Sequence, residues 1–394
     1  MHSNIIKVCA AFLFIINMAA TASLGSTTTA ESSSGFSRDL YENIITPGQK
    51  DNVVFSPASI QTCVALAYFG AKGNTESEIS SGLHLGTSDK DVVAKRFSNL
   101  LTSSKSSTQL AIANKIYVNK ELHVKKDFNS IAKEAFQSEA ESVDFTENNK
   151  VVQKINSWVE SKTNNNIKDL LSSVAPETSM ILVNAVHLKA TWKFKFSSYS
   201  THKSDFWITP DTSVKVDTMS NADYGYKYAQ WSDLDATALG MPYSDSDLEM
   251  VIVLPNKKDG LAALENKLKS ADILNLANQM KTYDVDVYLP KFKVESKFKL
   301  NDALSKMGMA TMFSDNADFS NLFEEKTPVK VSEVVHKAFI NVDEEGTEAS
   351  AATYMKIVPM SLNLDQKLFK ADHPFLYFIK NQEYIYFMGR VASF

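Results

Sequence analysis

The chain has 394 residues, 44% hydrophobic and 22% charged, with 41 Lys and Arg against 46 Asp and Glu for a net charge of −5. That composition supplies a large core, and its mild acidity argues against a nucleic-acid or anionic-membrane partner. Two cysteines exclude a disulfide scaffold.

The N-terminus has the pattern of a removable leader. Lys7 precedes the apolar run Val8–Asn17, and Ala20-Thr21-Ala22 supplies small residues for cleavage. The expected signal peptide is 1–22, and the mature chain is expected to be secreted. Its removal takes away only Lys7, which moves the net charge from −5 to −6. It also takes Cys9 and leaves Cys63, which sits in an apolar helical run and is expected to be a packed thiol. Residues 23–34 are rich in Ser and Thr and are expected to be disordered.

Helices are expected over about 35–45, from Pro57 behind the cap Ser56, from Thr75, over 90–101, 126–136 and 151–162. Gln109–Val118 alternates and reads as a strand, and Met180–Leu188 reads as a buried central strand. Short strands follow, including Leu248–Leu254, then two helices within 260–280 and strands within 284–296. A helix at 299–308, a long strand at 328–343 and a hairpin around Asn381-Gln382 complete the order. Early helices and late strands with no repeat or linker predict one α+β domain over 35–394.

The stretch Glu344-Glu345-Gly346-Thr347-Glu348-Ala349-Ser350-Ala351-Ala352-Thr353-Tyr354-Met355-Lys356-Ile357-Val358-Pro359-Met360-Ser361 stands apart. From Thr347 the alternate positions are Thr, Ala, Ala, Thr, Met and Ile, with no charge among them. Successive side chains of an extended chain face opposite ways. The segment could therefore lie in a sheet with one face of small residues buried in tight space. On alternation alone the first reading is an exposed edge strand or a mobile surface loop.

Enzyme motifs are missing. There is no Gly-x-Ser-x-Gly, no His-Glu-x-x-His and no Gly-rich phosphate loop, and the seven histidines lack metal-ligand spacing. No metal and no cofactor are expected, and no catalytic residue is assigned. Lys95, Arg96, Lys120, Lys125 and Lys126 are scattered, so a polyanion site is not expected.

Several motifs together resemble one family. Asn52-Val53-Val54-Phe55-Ser56-Pro57-Ala58-Ser59-Ile60, Val183-Asn184 with Trp192, and Val335-His336-Lys337-Ala338-Phe339-Ile340 running to Glu344-Glu345-Gly346-Thr347 occur in order. Phe369–Ile379 and Phe387-Met388-Gly389-Arg390-Val391 follow. In this the chain resembles the serpins, the serine protease inhibitor superfamily, from about residue 36 to 394.

The resemblance implies the serpin fold: a large central mixed β-sheet, further sheets, about nine helices and an exposed reactive loop at about 344–364. It places the reactive bond fourteen residues beyond Gly346, at Met360–Ser361. Ile357-Val358-Pro359 before that bond resembles antitrypsin's loop. It makes Glu344–Ala352 the loop's hinge. Ser56, Ser59, Asn184 and His336 become a polar cluster under the sheet, Trp192 a marker of the site where strands part, and Lys291 a partner for Glu344. The implied function is a secreted, monomeric suicide-substrate inhibitor that traps an extracellular serine protease covalently. Met360 suits an elastase-like or chymotrypsin-like pocket. The alternative is a non-inhibitory binding or carrier protein.

Overall fold

The computed structural model describes residues 29–46, 49–102, 109–325, 328–347 and 365–394. The expected leader and residues 23–28 lie outside them.

The first helix, α1 (29–44), starts six residues earlier than its sequence pattern suggests. Residues 29–34 were expected to be disordered, and that expectation is corrected. Ser33 Oγ accepts the Ile385 N–H at 3.1 Å, and Ser34 Oγ donates to Asp272 Oδ1 at 2.7 Å. Polar residues are helical here because distant segments satisfy their hydroxyls, a signal that local composition does not carry.

Next come β1 (Val53–Phe55) and α2 (Pro57–Gly70). Ser56 caps α2 by accepting the Ser59 N–H at 3.2 Å. All fourteen residues of α2 are buried, because it packs between two sheets and against β2 (Gln109–Asn119), β4 (Met180–Thr191) and β15 (Ile385–Val391). A helix apolar all round shows no face in its sequence. Cys63 on α2 is the packed thiol expected, with burial pushing it up to about 12.

The first sheet is six-stranded, in the order β10 (Phe292–Lys299), β11 (Glu333–Val342), β12 (Gly346–Thr347), β4, β2, β3 (Ala140–Val143). It is mixed: β4 runs parallel to β11 and antiparallel to β2. The long strand expected from about 328 begins only at Glu333. Val331 and Ser332 spend their N–H groups on Met312 and Met180 carbonyls, at 2.9 and 2.8 Å. On the sheet face away from α2, α6 (Asn148–Lys162) places Val151, Ile155 and Val159 over Ile181, Val183 and Ala185 of β4 and Val335 and Phe339 of β11. With both faces covered, β4 loses the alternation of a half-exposed strand.

The second sheet has nine strands. Its path runs β1, β15, β14 (Phe375–Lys380), β8 (Glu249–Pro255), β7 (Ala236–Pro242), β6 (Thr212–Trp231), β9 (Lys281–Pro290) and β13 (Lys367–Lys370), with β5 (His202–Thr209) beside β6. The further sheets expected are one hydrogen-bonded surface, because the twenty-residue β6 continues through an irregularity between Asn221 and Tyr224. Nine α-helices occur among the described residues, completed by α3 (Gly73–Gly82), α4 (Lys90–Thr102), α5 (Lys126–Phe136), α7 (Leu261–Leu268), α8 (Ile273–Asn278) and α9 (Asn301–Lys306).

A chain beginning at residue 35 should therefore be less stable than one beginning at residue 29. It leaves the buried Ile385 N–H without a partner, a loss of about 1–3 kcal/mol. Urea unfolding of the two chains checks this, and equal midpoints would restore a disordered 29–34.

Candidate functional site

The site is the seam between β11 and β4. Over most of its length the two strands pair directly, from Glu333 opposite Ile181 to Phe339 opposite His187. At its upper end they part and β12 sits between them. Gly346 and Thr347 lie opposite Thr191 and Ala190 of β4, and Thr347 also lies opposite Val342 of β11.

Gly346 has φ +154°, and a Cβ there would stand 2.0 Å from the Ala190 carbonyl oxygen. Only glycine lets the backbone approach so closely. Thr347 is fully buried, and its Oγ1 is 2.8 Å from the Tyr243 hydroxyl.

The residues just before β12 are held from several sides. Trp192 stacks on Tyr243 with centroids 4.6 Å apart. Its indole N–H donates to the Asp343 carbonyl at 2.9 Å, and its backbone N–H donates to the Glu345 carbonyl at 2.8 Å. The Asp343 carboxylate accepts the Glu345 and Gly346 N–H groups at 3.0 and 3.3 Å. Burial raises the Asp343 carboxyl above its usual range, against those two donors. Glu344 pairs with Lys291 at 2.7 Å and accepts from Thr201 Oγ1 at 2.8 Å; Glu345 pairs with Lys195 at 2.7 Å. Burial alone would raise the Glu344 carboxyl, but Lys291 and then Thr201 hold it below its ordinary value.

Farther down the seam Ser56, Ser59, Asn184 and His336 come together. The Ser56 backbone N–H donates to His336 Nε2 at 3.1 Å, while its hydroxyl caps α2. Nε2 is thus an acceptor, and the ring proton on Nδ1 goes to Asn184 Oδ1. Asn184 Nδ2 reaches the Ser59 carbonyl at 3.1 Å, the Ser59 hydroxyl and Asn114 Oδ1. Burial pushes the His336 imidazole down to about 3.

Of the residues singled out in the sequence, Glu344, Glu345, Gly346, Thr347, Trp192 and Lys291 meet at the upper end, and the other four meet below. Glu348, Ala349, Ser350, Ala351, Ala352, Ile357, Val358, Pro359, Met360 and Ser361 lie outside the described residues. Asn114, Lys195, Thr201, Tyr243 and Asp343 were missed. Asn114 had a usable signal, an amide in the middle of an apolar strand. Tyr243 had none, because only the fold brings it to Thr347.

Residues 31–394 match the family described as Serpin (serine protease inhibitor). "Serine protease inhibitor 42Dd" of Drosophila melanogaster is 36% identical over 362 residues, 91% of this chain and 95% of that protein. The crystal structure of Serpin48, a highly specific serpin of the insect Tenebrio molitor, superposes with a TM-score of 0.85 at 34% identity, covering 93% of this chain and 98% of that one. Human thyroxine-binding globulin complexed with thyroxine gives a TM-score of 0.84 at 28% identity, covering 94% and 99%. A mixed sheet with the short strand β12 seated in its seam, together with these matches, makes the chain a member of the serpin family. That family consists mostly of protease inhibitors rather than enzymes, with some non-inhibitory members.

His336 gives the site a pH dependence of definite sign. Its folded value, about 3, lies below the ordinary 6.5, so between those values the unfolded chain binds the extra proton. Stability should rise with pH across that window, by up to about 1.4 kcal/mol per unit for one proton, and this contribution is lost as pH falls. His336→Gln should show a shallower dependence than the parent between pH about 6.5 and about 4. Urea midpoints measured across that range test it, and parallel slopes would contradict it.

Proposed function

We propose that the protein is a secreted suicide-substrate inhibitor of extracellular serine proteases, cut at Met360–Ser361. The observation that carries this reading is the seated β12. The first residues of the loop already occupy strand positions between β11 and β4.

The chemistry is ordinary acyl transfer up to its halfway point. The protease serine adds to the Met360 carbonyl, the bond to the Ser361 nitrogen breaks, and that amine leaves as an acyl-enzyme forms. Cutting frees the end of the 347–360 segment, which can then enter the seam as a strand with hydrogen bonds on both sides, the family's established behaviour. The attached protease is carried away before water deacylates it.

The register set by β12 supports this. Continued down the seam, it sets Ala349 between Leu188 and Ile340, Ala351 between Val186 and Ala338, and Met355 between Leu182 and Val334. Thr353 falls between Asn184 and His336, where a hydroxyl can meet polar groups. No charge lands on that face, where burying one without a partner would cost several kcal/mol; Glu348 and Lys356 fall on the opposite face, Glu348 beside the exposed Lys189 and Lys356 beside Glu333. The small hinge residues Ala349, Ser350, Ala351 and Ala352, with Glu348 among them facing the other way and glycine at 346, favour inhibition over a carrier role. Met360 behind Ile357-Val358-Pro359 suits elastase-like or chymotrypsin-like pockets. The leader pattern of residues 1–22 supports secretion. The monomer acts without cofactor, metal or polyanion.

Incubation with elastase-like, chymotrypsin-like and trypsin-like proteases, read on a denaturing gel with mass spectrometry, tests the reading. A complex that survives denaturation, with a released fragment beginning at Ser361, is expected from one of the first two. Ala351→Arg should still be cut but form little complex, because the register would carry a charge between the buried Val186 and Ala338. Clean cleavage of the parent with no complex would move the protein to the non-inhibitory members.

A further inference from the structure

The start of α7, the turn between β5 and β6, the segment before β1 and the end of β15 enclose a cleft of about 670 Å³, partly open to solvent. That is the size of a small-molecule site. The seam and the reactive loop contribute none of its lining residues. Its wall holds an incompletely bonded cation. Arg390 of β15 is 1% exposed. A guanidinium carries five N–H groups. Arg390 spends three of them, from Nε to the Asp51 carbonyl at 3.0 Å, from Nη1 to Glu265 Oε1 at 2.8 Å and from Nη2 to the Gln49 carbonyl at 2.6 Å. One N–H on each Nη is left without an acceptor among the described residues. Gln49 and Glu265 line the cleft together with Arg390, so the guanidinium sits at its inner wall. Buried donors without acceptors are unfavourable, and an anion entering the cleft would satisfy them.

The start of α7 adds backbone donors from a second element. Gly260 leaves the helix without a side-chain cap, and no acidic residue stands in its first turn. The first bond of the helix runs from the Leu264 N–H to the Gly260 carbonyl at 2.9 Å, so the Leu261 and Ala262 N–H groups make none. Both residues line the cleft. An uncapped helix start favours negative charge. Lys50 and Lys258 also line it. Lys258 Nζ lies 3.3 Å from the centre of the Trp207 ring and forms no ion pair among the described residues. Three cations therefore face two carboxylates, Asp259 and Glu265, and Glu265 already accepts from Arg390 and, at 2.7 Å, from the Tyr41 hydroxyl. Ile208, Pro210, Pro374 and Ala392 give the cleft an apolar side.

We infer that this cleft binds a small organic carboxylate with a short apolar chain. Arg390 and the start of α7 take the carboxylate, and the chain lies on Ile208, Pro210 and Pro374. The inference stands on the cleft alone and holds whether or not the protein traps a protease.

Calorimetric titration of the purified protein with sodium octanoate, octanol and inorganic phosphate tests it. Octanoate should saturate one site, and octanol, with the same chain and no charge, should bind about tenfold more weakly or less. Lys258→Met and Ala262→Glu should each weaken octanoate binding by about tenfold, the first by removing a cation and the second by placing a carboxylate at the helix start. Ala262 is exposed and Lys258 half-buried, so thermal midpoints without ligand should stay close to the parent's. Absence of saturable octanoate binding would overturn the site. So would parent-like affinity in both variants, or octanol binding as tightly as octanoate. Phosphate matching octanoate would overturn the apolar chain as part of the ligand.

Discussion

The parallel pairing of β4 with β11 is the constraint on which the rest depends. Each strand of a sheet offers hydrogen-bonding groups on two edges, and here these edges meet each other from Glu333 to Phe339. A strand entering between them must replace every one of those bonds with two sets of its own. Under the proposed mechanism that exchange would gain backbone bonds and bury small side chains, leaving the closed seam satisfied but less fully paired than the sheet could become. Separation of the strands by one spacing, about 4.8 Å, would also break the direct His336–Asn184 hydrogen bond. A strand entering the seam would therefore have to part the polar cluster.

The upper end of the seam is held from several sides. Backbone bonds to Trp192 and Phe196, the Asp343 carboxylate and the lysines paired with Glu344 and Glu345 fix the chain up to β12. The lysine ends of the ion pairs are 39% and 31% exposed, so screening limits what each contributes. The close approach at Gly346 and the buried hydroxyl pair of Thr347 and Tyr243 do more to define register. Once these two residues are fixed, the alternation of the following segment decides which side chains face inward.

Much of this was legible in the sequence because it is carried by local pattern. The alternation after Gly346, the proline after Ser56 and the apolar run of β4 each report their own environment. The resemblance added what periodicity cannot, namely that Asn184, His336 and the two serines converge from four distant positions. What stayed hidden depends on long-range partners. The serines of 29–34 look like a disordered tail until Asp272 and Ile385 are placed beside them. Tyr243 is an unremarked tyrosine until β7 delivers it to Thr347.

The central claim is that the resting sheet gains stability by admitting the loop. Its most direct test is thermal unfolding of the protein before and after the loop is nicked near Met360 by a protease that it does not trap, together with hydrogen exchange of β4 and β11. A large rise in the unfolding midpoint is predicted, with new protection along 347–359. An unchanged midpoint, with 347–359 still exchanging freely, would contradict it.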